Sequence, residues 1–135
     1  MGCDIHMVLE RKANGKWIGV DTYQGHESAL GKGYAWPEAT NRNYRRFAAL
    51  AGVRGDGPEP KGMPDDASDT AKILSEHWGS DGHSHSWFPL AEAAAIFLAT
   101  AHQPNDFAQK YPEAHFFGCD LENPEEYRLV FWFDN

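Results

Sequence analysis

Cysteine is nearly absent: Cys3 and Cys119 are the only two in 135 residues. No disulfide framework can be built from such a pair, and a reducing compartment, the cytoplasm, is the expected setting. The chain has no amino-terminal signal-like apolar segment and no run of about 18 apolar residues, so neither export nor membrane insertion is predicted. Positive charge is scarce, with 12 Lys and Arg against 20 Asp and Glu, a formal net charge of -8. That field repels polyanions, so no duplex nucleic acid partner is expected.

Several motifs are missing as well. Gly31-Lys32-Gly33 lacks the Walker spacing and Gly55-Asp56-Gly57 lacks a following Lys-Ser or Lys-Thr, which excludes P-loop hydrolysis. There is no dinucleotide fingerprint, no internal repeat and no heptad pattern. The opening Met1-Gly2-Cys3 has the glycine of an acylation signal, yet His6 stands where that signal needs Ser or Thr. No membrane partner is expected.

What is present fits a single domain over residues 1–135. Hydrophobic residues make up 41% and charged residues 24%, enough for one core that buries about two thirds of the extended surface. Residues 3–10 alternate, with Cys3, Ile5, Met7 and Leu9 on one side and Asp4, His6, Val8 and Glu10 on the other, which predicts a half-buried strand. Asn14-Gly15 is hairpin turn chemistry, and Trp17 to Val20 supplies a second strand. Residues 23–40 read as a loop.

Thr40 or Asn41 is the expected cap of a helix ending near Gly52, with Tyr44, Phe47, Ala48 and Ala51 inward and Arg42, Arg45 and Arg46 on its other faces. The Gly- and Pro-rich stretch 54–64 reads as a mobile flap. Ser68 caps a second predicted helix that ends at Gly79, and a histidine-bearing loop follows. Pro89 opens a third helix through Leu90, Ala94, Phe97, Leu98 and Ala101, and Tyr127 to Phe133 predicts a well-covered strand. The expected class is therefore α+β: a small sheet, formed by an N-terminal hairpin and a C-terminal strand, packed with about three helices.

Two segments concentrate chemistry. Asp4 and His6, two residues apart on a strand, project in parallel, and Asp81, His83 and His85 repeat that spacing. Together they offer a carboxylate–imidazole set suited to a divalent transition metal, Zn or Mn, with Asp120 and His115 in reserve. Without metal, His6, His83 and His85 could act as general acids and bases. Loop histidines beside glycine and serine also bond locally with no further role. Ser84 and Ser86 invite a nucleophilic-serine reading, but no Gly-x-Ser-x-Gly elbow accompanies them.

Arg42, Arg45, Arg46 and Arg54 fall close together and could cradle phosphate, with Trp36 or Trp87 stacking a base; a solvated helix face and core packing are the plainer alternatives. A small anionic or nucleotide ligand is the expected partner, and a homo-oligomer is compatible with the sequence.

The start Met-Gly-Cys-Asp-Ile-His6, the stretch Asn43-Tyr-Arg-Arg-Phe-Ala48, the segment Asp81-Gly-His-Ser-His-Ser-Trp87 and the ending Arg128-Leu-Val-Phe-Trp-Phe-Asp-Asn135 together resemble a family of small bacteriophage and prophage proteins. The resemblance implies viral origin, residence in the cytoplasm of the infected host, and an anti-defence role such as blunting a nucleotide immune signal. Asp4-Ile-His6 and Gly82-His-Ser-His85 are also similar to the first and last motifs of calcineurin-like metallophosphoesterases, although the intervening Gly-Asp and Gly-Asn-His motifs are missing. The functional expectation is a phosphodiesterase-like hydrolase acting on a nucleotide or phosphorylated small molecule. Its rivals are a non-catalytic protein that sequesters such a signal and a phage protein that binds a host protein.

Overall fold

The computed structural model describes residues 2–24, 27–28, 42–100 and 123–135. The alternating stretch at the start forms β1 (Asp4–Ala13), which turns at Asn14 and Gly15 into β2 (Lys16–Gln24). Both turn residues have positive φ, 53° and 79°, the twist that a two-residue hairpin needs and that Asn-Gly adopts at little cost. A two-residue strand, β3 (Glu27–Ser28), borders β2.

On the other side β1 pairs with the last strand, β5 (Tyr127–Asp134), and β5 pairs with β4 (Gly82–Pro89). The sheet order is β3-β2-β1-β5-β4, with every pairing antiparallel. The strand predicted from the Tyr127 to Phe133 run is thus interior, as its continuous apolar sequence requires.

Three helices are described, and they cover both faces. Helices α1 (Tyr44–Ala51) and α3 (Leu90–Ala99) pack Phe47, Leu50, Leu90, Ala94 and Phe97 against Ile5, Met7, Leu9, Leu129, Phe131 and Phe133. Helix α2 (Asp69–Trp78) lies on the opposite face, where Ala71, Leu74 and Trp78 meet Val8, Val130 and Trp132. β1 is consequently buried on both sides rather than on one: His6 and Glu10 are only 2% and 0% exposed. The α+β expectation holds, with helices on each side of the sheet.

The cap of α1 is Asn43; Thr40 and Asn41 lie outside the described residues. Its side chain accepts from the Arg46 amide and donates to the Thr100 carbonyl, tying the start of α1 to the end of α3. Arg46 does not point outward as the helix reading placed it. It is wholly buried, stacks its guanidinium 4.3 Å from the Phe97 ring, and donates to the Phe97 carbonyl and the Thr100 hydroxyl, both at 2.9 Å. A buried guanidinium is tolerated there because it finds acceptors at the carboxyl end of α3, where the last carbonyls have no partner within the helix ladder.

The predicted mobile flap is instead docked. A Cβ at Gly57 would collide with the Ala48 carbonyl, so only glycine lets the chain lie against α1. Farther along, Gly62 donates to the His85 carbonyl and the Lys61 amide to the Ser86 hydroxyl, while the Lys61 ammonium rests over the Trp87 and Phe88 rings at 4.4 and 4.1 Å. The histidine-bearing segment is likewise no loop but the strand β4.

Candidate functional site

The first residues of β1, the last of β5 and the first of β4 meet at one end of the sheet, since Asp4 is paired with Asp134 and Asp134 with Gly82. The two segments that the sequence singled out therefore flank the same strand. In the sheet β5 stands between them.

On the α2 face, His6 donates Nε2–H to Asp134 Oδ1 at 2.8 Å and stacks 4.1 Å from Trp78. Its Nδ1 is buried without a hydrogen-bond partner among the described residues, as is Trp132 Nε1. Asp4 is paired with Arg42, whose Nε donates to Oδ1 at 2.8 Å. That carboxylate raises the Arg42 pKa further.

The other two histidines separate. Between His83, opposite Phe133, and Ser86, opposite Phe131, β4 carries one extra residue, so Ser84 and His85 together oppose Trp132. Ser84 takes a left-handed φ of 56° at this bulge. His83 then stacks on Phe133, whose side chain belongs to the α1–α3 core, whereas His85 stacks on Trp132 of the α2 face. Two-residue spacing implied a shared face; the bulge reverses it.

His85 is half-buried and shares a 2.8 Å hydrogen bond with the Ser75 hydroxyl. Burial, and then the neighbouring His83 charge, hold its pKa below the usual 6.5. His83 is bonded on both ring nitrogens: Nδ1 lies 3.0 Å from Ser84 Oγ and Nε2 lies 3.3 Å from Asn135 Oδ1. One tautomer satisfies both contacts. With the proton on Nε2 the ring donates to Asn135 and offers the Nδ1 lone pair to the Ser84 hydroxyl.

Ser84 lines a cleft of about 380 Å³ together with Gly52, Gly55, Asp56, Gly57, Glu59 and neighbouring residues of the docked loop. The exposed Arg54, which stacks over the Tyr44 ring at 5.1 Å, is carried by that loop. Arg42 and Arg54 both lower the Cys3 thiol pKa, which burial raises overall, so the two cations share this end of the molecule. The larger cleft, about 660 Å³, lies beside the hairpin turn and the start of α2. Among the described residues its wall has no histidine, so it is less suited to proton transfer.

The remaining sequence candidates disperse. Arg45 is exposed and donates to the Ala99 carbonyl, Arg46 is interior, and Asp81 is exposed at the start of β4. Trp87 is half-buried beneath Lys61. Trp36, His115, Cys119 and Asp120 lie outside the described residues. Among the described residues no three His, Cys, Asp or Glu side chains are close enough to hold a metal. The expected donors Asp4, His6, Asp81, His83 and His85 do not form one in this arrangement, because Asp4 is engaged by Arg42, His6 by Asp134, and His83 and His85 diverge at the bulge.

Asp134 and Asn135 were not among the site residues expected from the sequence, although they follow a long apolar strand as polar groups at its end. No family model, curated protein or solved structure matches this chain. No helix among the described residues is long and apolar enough to cross a membrane.

Proposed function

We propose that this chain is a hydrolase that works by imidazole proton transfer on a phosphodiester of a nucleotide or other phosphorylated small molecule, as a phage accessory protein acting on a host signal. The single observation that carries this reading is His83, a half-exposed ring held in one tautomer by Asn135 and turned towards a hydroxyl beside a cleft. A base must be oriented and accessible before its basicity matters, and His83 meets both conditions where the more deeply buried His6 does not. Arg54, on the loop that lines the cleft, supplies a planar fork that matches phosphate oxygens. Imidazole acid–base chemistry of this kind requires no metal.

The test is release of 4-nitrophenolate from bis(4-nitrophenyl) phosphate, followed by product analysis with nucleotide diesters. Turnover should fall by about 10²-fold or more in His83→Gln, the usual contribution of a positioned base. A nucleotide recovered chemically unchanged after long incubation would replace catalysis with sequestration.

A further inference from the structure

We infer that Ser84 is the nucleophile of this site and that its substrate class is the singly charged phosphodiester, an inference that rests on the hydrolase reading above. Three independent observations converge on Ser84. It is one of only three non-glycine residues with positive φ among the described residues, and the other two, Asn14 and Arg54, lie in a turn and a loop rather than inside a strand. Its hydroxyl lies 3.0 Å from the Nδ1 that the tautomer argument leaves unprotonated. It is also the only cleft-lining residue contributed by β4, on a wall built, among the described residues, from the docked loop and the end of α1. A left-handed serine within a strand costs conformational energy, and such residues are retained where the backbone must aim a side chain.

The step balances without an added oxidant or reductant. Ser84 Oγ forms a bond to phosphorus as its proton passes to His83 Nδ1, and the ester oxygen leaves with the bonding pair and takes that proton. Water then attacks the Ser84 phosphoester, giving its proton to His83, and the Oγ–P bond breaks as Oγ recovers it. Asn135 acts as a positioning residue, keeping the Nε2–H tautomer throughout.

The cleft wall also sets the substrate charge. Asp56 and Glu59 both line it, so a dianionic monoester would be repelled more strongly than a monoanionic diester. Gly55 and Gly57 also line the cleft, and among the described residues no lysine does.

An alkyl fluorophosphonate, which reports a nucleophilic serine by a stable adduct, tests this by peptide mass spectrometry. The wild-type protein should carry the adduct on Ser84, Ser84→Gly should carry none, and His83→Gln should react about 10²-fold more slowly. Glycine suits a φ of 56°, and Ser84→Asn is a second variant tolerated in that region, so unchanged circular dichroism in either separates chemistry from folding. Bis(4-nitrophenyl) phosphate should be preferred over 4-nitrophenyl phosphate by at least about tenfold, and the opposite order overturns the diester assignment. If Ser84→Gly hydrolyses the diester at the wild-type rate, the nucleophile is overturned while the hydrolase reading survives with water attacking directly. If the wild-type protein gives neither turnover nor adduct, both are overturned.

Discussion

Glu10 and His6 lie on the same face of the same strand, four residues apart, and are almost equally buried, yet their surroundings differ in kind. Glu10 accepts from Arg128 Nε at 2.5 Å and from the Ser68 amide at 2.6 Å, and Arg128 continues to Asp66 at 3.0 Å while lying over Trp17. That end of the strand pair is a completed network, in which both carboxylate oxygens and the guanidinium are satisfied. At the other end His6 has one buried nitrogen with no partner among the described residues, His83 stands half-exposed between two partners, and Ser84 holds a left-handed backbone. A fully satisfied buried charge network organises a fold; an end with unused hydrogen-bonding capacity and stored strain is where chemistry has room to occur.

The contrast can be broken first at its closed end. Glu10→Ala leaves the Arg128 guanidinium buried without its nearest carboxylate, and denaturant unfolding should show a loss of about 3–5 kcal/mol. Asp66, on the exposed side of the same network, should matter far less, with Asp66→Asn costing within about 1 kcal/mol. The open end should behave in the reverse sense: His83→Gln should lower turnover of the diester by about 10²-fold while its unfolding midpoint stays close to that of the wild-type protein.

Acid sharpens the comparison further. Because His85 has a depressed pKa when folded, the unfolded chain binds more protons just below pH 6.5, and stability contributed by the neutral ring is lost as pH falls through the folded value. Asp66 is also depressed, chiefly by its Arg128 hydrogen bond, but its contribution is present above 3.8 and disappears only at lower pH. Unfolding midpoints measured between about pH 7 and pH 5 should therefore drop less in His85→Gln than in the wild-type protein. The smallest effect expected is on the stability of Ser84→Gly, where relief of left-handed strain and the added freedom of the unfolded chain offset one another to within about 1 kcal/mol.

The elements that could be read from sequence are those whose signal is local. The alternation of residues 3–10, the Asn14-Gly15 turn, the Ser68 cap and the apolar run before Asp134 each encode their own geometry. The site was legible only in outline. The Asp4 and His83 segments flank one strand, but nothing in Asp81-x-His83-x-His85 announces a bulge, which is decided by pairing with β5 and turns His85 from the face of His83. Arg46 was misplaced for a similar reason: charge predicts exposure until acceptors at a neighbouring helix end lie within reach. The stretch of glycines and prolines at 54–64 looked loose because its order comes from long-range contacts with α1 and β4 rather than from any local pattern.

Those contacts with β4 have a consequence beyond holding the loop. Among the described residues β4 is an outer strand, and an outer strand normally presents a free row of amides and carbonyls on which a second chain can assemble. By bonding Gly62 to the His85 carbonyl and seating Lys61 above Trp87 and Phe88, the protein occupies part of that row with its own backbone and crowns it with a charge. The strand that bears His83 and Ser84 is thereby shielded, at that point, from edge-to-edge aggregation.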